Sequence, residues 1–260
     1  MSTDVILVDR DTEIATITLN RPEKLNALTK PMWKRLGDVV RELSADDSLR
    51  CLVLRGAGEK AFAPGNDISE FANTRSNSAQ AKEYGEVHHA ALAALDECRH
   101  PMVALIQGIC VGGGLEIAAL CDLRICGTSS RFGVPINRLG LSMGLREMQG
   151  LLALAGKAVT LEILLEGRVF GAEEAQQKGL VTRVVPDDKV VEEAYAAARR
   201  IADGAPLVAR WHKQFMRRLR DPAPFTQAEL DLSYACYDTE DFRTGYRSFL
   251  AKTKPEFKGR

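Results

Sequence analysis

Apolar and polar residues alternate from Val5 to Leu19, as VILV and then IATITL, on either side of Asp9-Arg10-Asp11. A period of two predicts a pair of half-buried antiparallel strands, with the charged triplet as the turn. The period then changes. Thr29 precedes Lys30-Pro31 and the amphipathic stretch MWKRLGDVVREL, which predicts a helix with Thr29 as its N-cap and Pro31 in its first turn. CLVLRG at 51–56 reads as a buried strand ending in glycine, and Pro64-Gly65 then force a turn ahead of Asp67.

The same grammar continues. Residues 78–98 carry a helical period through Ala81, Tyr84, Val87, Ala91, Leu92 and Leu95, and MVALIQG makes a further strand before three consecutive glycines. DLRICGTSSRFGVP reads as a strand followed by a turn. Recurring strand and helix units predict an α/β fold with the strands inside. From about Ala172 onward helical patterns dominate, in AEEAQQKGL, VVEEAYAAARRIADG and FTQAELDLSYACY, so the last third is expected to pack back on the core or on a neighbouring subunit. NTRSNS at 73–78 reads as a mobile surface loop that could cover a pocket.

Composition narrows the function classes. The chain has 260 residues, of which 45% are hydrophobic and 27% charged, enough for a substantial core. Basic and acidic residues balance at 35 each, which removes any overall attraction to nucleic acid or an anionic membrane. RWHKQFMRRLR at 210–220 is read as the basic face of an amphipathic helix. The N-terminus lacks the basic flank of a secretion signal, and no later segment is read as a bilayer span, so a cytoplasmic location is expected. The six cysteines lie mostly in apolar runs without metal-site spacing and are read as reduced core thiols, with no metal. Neither HExxH nor GxSxG is present, and adjacent His88 and His89 would point in different directions on a helix; these two, His100 and His212 are read as non-catalytic.

The chemistry concentrates in QGICVGGGLEIAALCD, residues 107–122. Glycines directly before a helix let a ligand approach backbone N–H groups that have no intrahelical acceptor. No Lys-Ser/Thr follows them and no GxGxxG is formed, so a developing oxyanion suits these donors better than a phosphate. Glu116, in an apolar wall near that helix start, feels opposing influences on its protonation, which suits acid–base work.

GGGLE with its strand and apolar helix, followed by CDLRIC and SRFGVP, resembles the signature block of the crotonase superfamily, the enoyl-CoA hydratase and isomerase family. NRPEKLNAL at 20–28, AFAPGNDISEF at 61–71, AEEAQQKGLVTRVVP at 172–186 and FLAKTKPEF at 249–257 match further family segments in order. The resemblance implies an α/β crotonase-like spiral of ββα repeats with a C-terminal helical region. It divides the chain into an acyl-CoA-binding core at 1–195 and a trimerisation region at 196–260, and it implies homotrimers or dimers of trimers. It also implies an acyl-CoA thioester as substrate, with coenzyme A as part of that substrate and no other cofactor, and an oxyanion hole made by the N–H groups of Asn66 and Gly113.

Glu116 matches the first catalytic glutamate of the hydratases, but Ile136 in FGVPINRLG occupies the place of the second. Gly144 stands where some isomerases carry their acid, and Glu147 three residues on is the remaining candidate. Lys24, Leu25 and Ala27 are implied at the nucleotide end of the ligand, and Ala63, Gly65, Asp67 and Ile68 along the adenine and pantetheine path. Phe249 and Lys252 are implied to reach a neighbouring subunit's ligand. Hydration and double-bond isomerisation stay open, as does a non-catalytic acyl-CoA-binding homologue.

Overall fold

The computed structural model describes residues 4–260. Strands β1 (Ile6–Asp11) and β2 (Ile14–Leu19) pair antiparallel, with Ile6 opposite Leu19 and Asp11 opposite Ile14. The turn lies at Thr12-Glu13, not at Asp9-Arg10-Asp11, and Thr12 takes a left-handed φ of 49°. The charged triplet belongs to an exposed edge strand, where charge blunts edge-to-edge pairing. β2 is buried on both faces rather than one, because it is an interior strand of the sheet. Thr29 caps α1 (Lys30–Ala45) by accepting from the Met32 N–H, as its position predicts.

Three strand-strand-helix units follow. The first comprises β3 (Cys51–Gly56), β4 (Ala61–Ala63), the short α2 (Phe71–Thr74) and α3 (Ser78–Glu97). The second comprises β5 (Met102–Ile106), β6 (Ile109–Val111) and α4 (Gly113–Leu120), and the third β7 (Leu123–Gly127), β8 (Arg131–Gly133) and α5 (Leu145–Glu166). After them come β9 (Val169–Gly171), α6 (Ala172–Gln177), β10 (Arg183–Val185) and α7 (Val190–Ala202). The first strand of each unit joins a six-stranded sheet ordered β1-β2-β3-β5-β7-β10, and the second joins a four-stranded sheet ordered β4-β6-β8-β9. The chain therefore winds between two sheets, as the ββα spiral requires.

Each of MVALIQG-ICV and LRICGTSSRFG thus holds two strands where the apolar pattern reads as one. Three-residue strands are too short to show a period. The corner is marked instead by Gly108, whose φ is +64° and where a Cβ would sit 2.0 Å from the Lys60 carbonyl oxygen. NTRSNS is also more ordered than expected: Asn73 and Thr74 end α2, and Asn77 caps α3 by accepting from the Gln80 N–H.

The core has two parts, one on each face of the large sheet. One gathers Ile17, Leu19, Trp33, Leu36, Leu52, Leu54, Phe62 and Leu115. The other packs Val53, Val103 and Leu105 against Ala194, Ala197 and Ala198 of α7. Strands covered on both faces read as continuous apolar runs, which is why CLVL and MVALI show no alternation. The expected division at residue 195 falls inside α7, a single helix whose residues on both sides of that point are buried against the sheet.

Beyond α7 lie α8 (Pro206–Arg218), α9 (Gln227–Leu232), a 3₁₀ turn at Ala235–Asp238 and α10 (Glu240–Ala251). The run FTQAELDLSYACY is therefore one short helix plus a turn. The basic run of α8 and the residues just after it is used internally: Lys213 pairs with Asp122 at 2.7 Å, Arg210 with Asp47 at 3.2 Å and, past the helix end, Arg220 with Asp96 at 2.8 Å. α5 is long and apolar enough to cross a membrane by length and composition, contrary to the expectation that no segment qualifies. Gly156 (φ 73°, ψ 172°) breaks it into two pieces, each short of the roughly 20 residues a span needs.

Gly114 joins α4 to the small sheet so tightly that a Cβ would lie 2.2 Å from the Ala63 carbonyl oxygen. Gly114→Ala is expected to cost about 3 kcal/mol of unfolding free energy in chemical denaturation. Gly85→Ala in α3, where the nearest atom is a His89 ring carbon at 3.5 Å, is expected to be neutral or to stabilise by up to about 1 kcal/mol.

Candidate active site

The site is built where β4 and β6 deliver two loops to the start of α4. Gly112 caps the helix with φ 54° and ψ −124°, its N–H donates to the Gly133 carbonyl at 2.9 Å, and its carbonyl accepts from the Glu116 N–H at 3.0 Å. Gly65, with φ +103°, lies against the same helix end: a Cβ there would sit 3.1 Å from the Gly113 nitrogen and 3.3 Å from the Val111 carbonyl oxygen. Only glycine permits this approach.

Asn66 is held at a parallel bridge to Leu28. Leu28 donates to the Gly65 carbonyl and accepts from the Asp67 N–H, both at 2.8 Å, so the N–H of Asn66 faces away from this ladder. Among the described residues neither the Asn66 nor the Gly113 N–H has a protein acceptor. The Asn66 side chain is fixed as well: its Oδ1 accepts from Trp33 Nε1 at 2.7 Å and from the Tyr84 hydroxyl at 3.3 Å. The Arg75 guanidinium lies 3.6 Å from the centre of the Tyr84 ring.

Glu116 occupies the first turn of α4 and is 8% exposed. Its Oε2 lies 3.0 Å from Nε2 of His88, which is 2% exposed, and the other ring nitrogen of His88 lies 3.4 Å from Glu147 Oε1. Glu147 Oε1 also meets His89 Nε2 at 3.3 Å, and Oε2 accepts from the Gly144 N–H at 2.8 Å. The Trp33 and His88 rings pack at 43° to each other with centroids 4.1 Å apart. Burial works against the charged form of His88, but Glu116 and Glu147 outweigh it and raise the imidazole above its ordinary range. Burial likewise opposes ionisation of Glu147, yet His88, the Gly144 N–H and His89 pull its carboxyl well below the usual range.

Of the four histidines read as non-catalytic, His88 is the one the fold sets directly against Glu116. Tyr84, His88, Ala91 and Leu95 share the buried face of α3, and the helical spacing from Tyr84 to Ala91 already passes through position 88. His89 is half-buried beside Glu147 and lines a cleft of about 620 Å³ with Arg146 and Gln149. His100 is buried elsewhere, where desolvation lowers its pKa to about 4. Glu147 is neither a solvated helix-start glutamate nor free: it stabilises the first turn of α5 and touches His88. Ile136 lies in a 3₁₀-helix at Pro135–Leu139 and packs half-buried on the core.

Other residues singled out in the sequence are brought only partly together. The bridge at Leu28 sets the loop carrying Lys24, Leu25 and Ala27 beside Gly65 and Asp67; Lys24 and Ile68 are exposed, Leu25 has φ 54° and Ala63 is buried. Asp67 is engaged by its own fold, accepting from Ser69 and, at 3.0 Å, from Arg21; the Ser69 hydrogen bonds, with help from Arg21, hold its carboxyl below the usual range. Phe249, 84% exposed, and Lys252, with φ 56°, lie at the end of α10, whose own anchors are the Asp241 carboxylate and the N–H groups of Lys258 and Gly259.

The enoyl-CoA hydratase/isomerase family pattern matches residues 9–260. A probable enoyl-CoA hydratase of Rhizobium meliloti is 36% identical over the whole of both chains, and a short-chain-enoyl-CoA hydratase of Clostridium acetobutylicum is 31% identical over the same span. The crystal structure of an enoyl-CoA hydratase/carnithine racemase from Magnetospirillum magneticum superposes with a TM-score of 0.98 at 50% identity, covering 100% of this chain and 97% of that one. The chain belongs to the enoyl-CoA hydratase/isomerase family of the crotonase superfamily.

The signs of the two shifts set a stability window. The raised His88 value contributes stability fully below the ordinary histidine value of about 6.5, lost as pH rises through the raised value. The depressed Glu147 value contributes above the ordinary glutamate value of about 4.3, lost as pH falls through the depressed one. The thermal midpoint is thus expected to decline on the alkaline side, and His88→Gln should flatten that limb in a pH series of melting curves.

Proposed function

We propose that the chain is an enzyme that moves protons on an enoyl-CoA thioester through an enolate, with Glu116 as the acid–base group and the N–H groups of Asn66 and Gly113 receiving the thioester oxygen. The observation that carries this reading is the joint placement of two free N–H groups and a buried carboxylate at one helix start. As the thioester is enolised, negative charge collects on its oxygen, and preset donors near the positive helix end stabilise it by an order of 3 kcal/mol each. Glu116 takes the proton from carbon, and the bonding pair left behind becomes the enolate.

Hydration is the activity named for the relatives. Double-bond isomerisation is favoured by a different observation. Ile136 supplies no acid, and both carboxylate oxygens of Glu147 are engaged by protein groups, leaving one carboxylate to remove and return a proton. Exposed Phe242, Tyr246, Phe249 and Leu250 on α10 support assembly with further copies as a trimer or a dimer of trimers.

A panel of 2-enoyl- and 3-enoyl-CoA esters in heavy water, followed by mass spectrometry, separates these outcomes. Gain of one water identifies hydration; deuterium uptake with a shifted double bond identifies isomerisation. Glu116→Gln is expected to lower either rate by about 10³-fold. Full activity in that variant would remove its assigned role, and acyl-CoA binding without turnover of any ester would identify a binding protein.

A further inference from the structure

We propose that His88 is a positioning residue, a buried imidazolium that fixes the Glu116 side chain at the Gly113 end of α4, and that Glu147 acts through His88 rather than on the substrate. This takes Glu116 as the proton-transfer group proposed above.

The two ring nitrogens face carboxylate oxygens of different helices, Glu116 at 3.0 Å and Glu147 at 3.4 Å. A neutral imidazole carries one ring proton and leaves the second nitrogen as a lone pair, which would then confront a carboxylate oxygen. Protonation on both nitrogens removes that repulsion and reduces the net charge of the buried cluster from two negatives to one. The indole of Trp33 at 4.1 Å adds a ring face that favours a cation. The groups facing this cluster are Glu116 from α4, Glu147 from α5, Trp33 from α1, and His89 and Tyr84 from α3 itself, with Arg75 over the Tyr84 ring.

Glu147 has no idle oxygen. Oε1 meets His88 and His89, and Oε2 accepts from the Gly144 N–H. These contacts tie Glu147 to its own helix start and to the imidazoles. Glu116 differs: only its Oε2 meets His88, at 3.0 Å, and among the described residues Oε1 has no protein partner, so it keeps acceptor capacity for a proton. When Glu116 is protonated in turnover, the remaining His88–Glu147 pair is neutral overall, and the cluster never carries two uncompensated charges.

The test uses the unsubstituted protein with ¹⁵N-labelled histidine, its ring signals assigned by single substitutions at His89, His100 and His212. At about pH 7.5 a free histidine is mostly neutral, whereas His88 is expected to show two protonated ring nitrogens. Glu147→Gln is expected to shift the His88 titration to lower pH and reduce kcat roughly tenfold with KM little changed, and His88→Gln to reduce kcat by about 100-fold. A neutral His88 in the unsubstituted protein overturns the proposal, whether or not any variant folds. So does a Glu147→Gln protein as inactive as Glu116→Gln with the His88 titration unmoved, because Glu147 would then act on the substrate directly. Undiminished turnover in Glu116→Gln would instead sink the functional reading of Glu116, while the ring signals would still decide whether His88 is the charged bridge.

Discussion

The site depends on two stretches of backbone meeting with no side chain between them. Gly65 and Gly113 lie against each other so closely that a methyl group on Gly65 would touch the Gly113 nitrogen, and one on Gly113 would sit 3.1 Å from the Trp33 ring. Because neither loop can move aside, the Asn66 and Gly113 N–H groups stay near one another and without acceptors. The Leu28 bridge takes up the hydrogen bonds on either side of Asn66, which leaves the Asn66 N–H directed away from that ladder. α4 is pinned at its other end too, where buried Arg124 donates to the carbonyls of Ala118, Cys121 and Asp122. A helix fixed at both ends places Glu116 with little freedom.

Placing a carboxylate in such a wall raises a second problem, since burial favours its neutral form. The protein answers with charge from behind. Three helices bring Glu116 and Glu147 onto the two ring nitrogens of His88, and Trp33 connects this cluster to the Asn66 loop by packing its ring against His88 while donating to Asn66. The orientation of the loop and the charge of the acid are therefore not independent. A change at Trp33 would disturb both.

Much of this was legible in the sequence. Three glycines before an apolar helix containing one acid carry a physical meaning by themselves, and ordered matching segments supplied the fold. What stayed hidden has a common cause: it depends on contacts between elements. His88 lies four residues after Tyr84 on the buried face of α3, but its partners come from residues 116 and 147, and no local pattern links them. The small sheet was missed because three-residue strands such as Ile109–Val111 are too short to show an alternation. The hairpin turn was misplaced because an exposed edge strand and a loop have similar polarity, so Asp9-Arg10-Asp11 reads as either. For α5 the apolar content was counted without its consequence, and only the backbone at Gly156 shows that the run is two helices.

Ile136 takes on a different meaning in this setting. Its side chain is apolar and packs half-buried against the core, so this position offers no group that could hold or move a proton. The nearest further carboxylate of the cluster is Glu147 in the first turn of α5, held by the Gly144 N–H and set against two imidazoles, with His88 between it and Glu116. A carboxylate opposite the base can hand a proton to the substrate, whereas one behind it can act only by setting the charge and direction of the base.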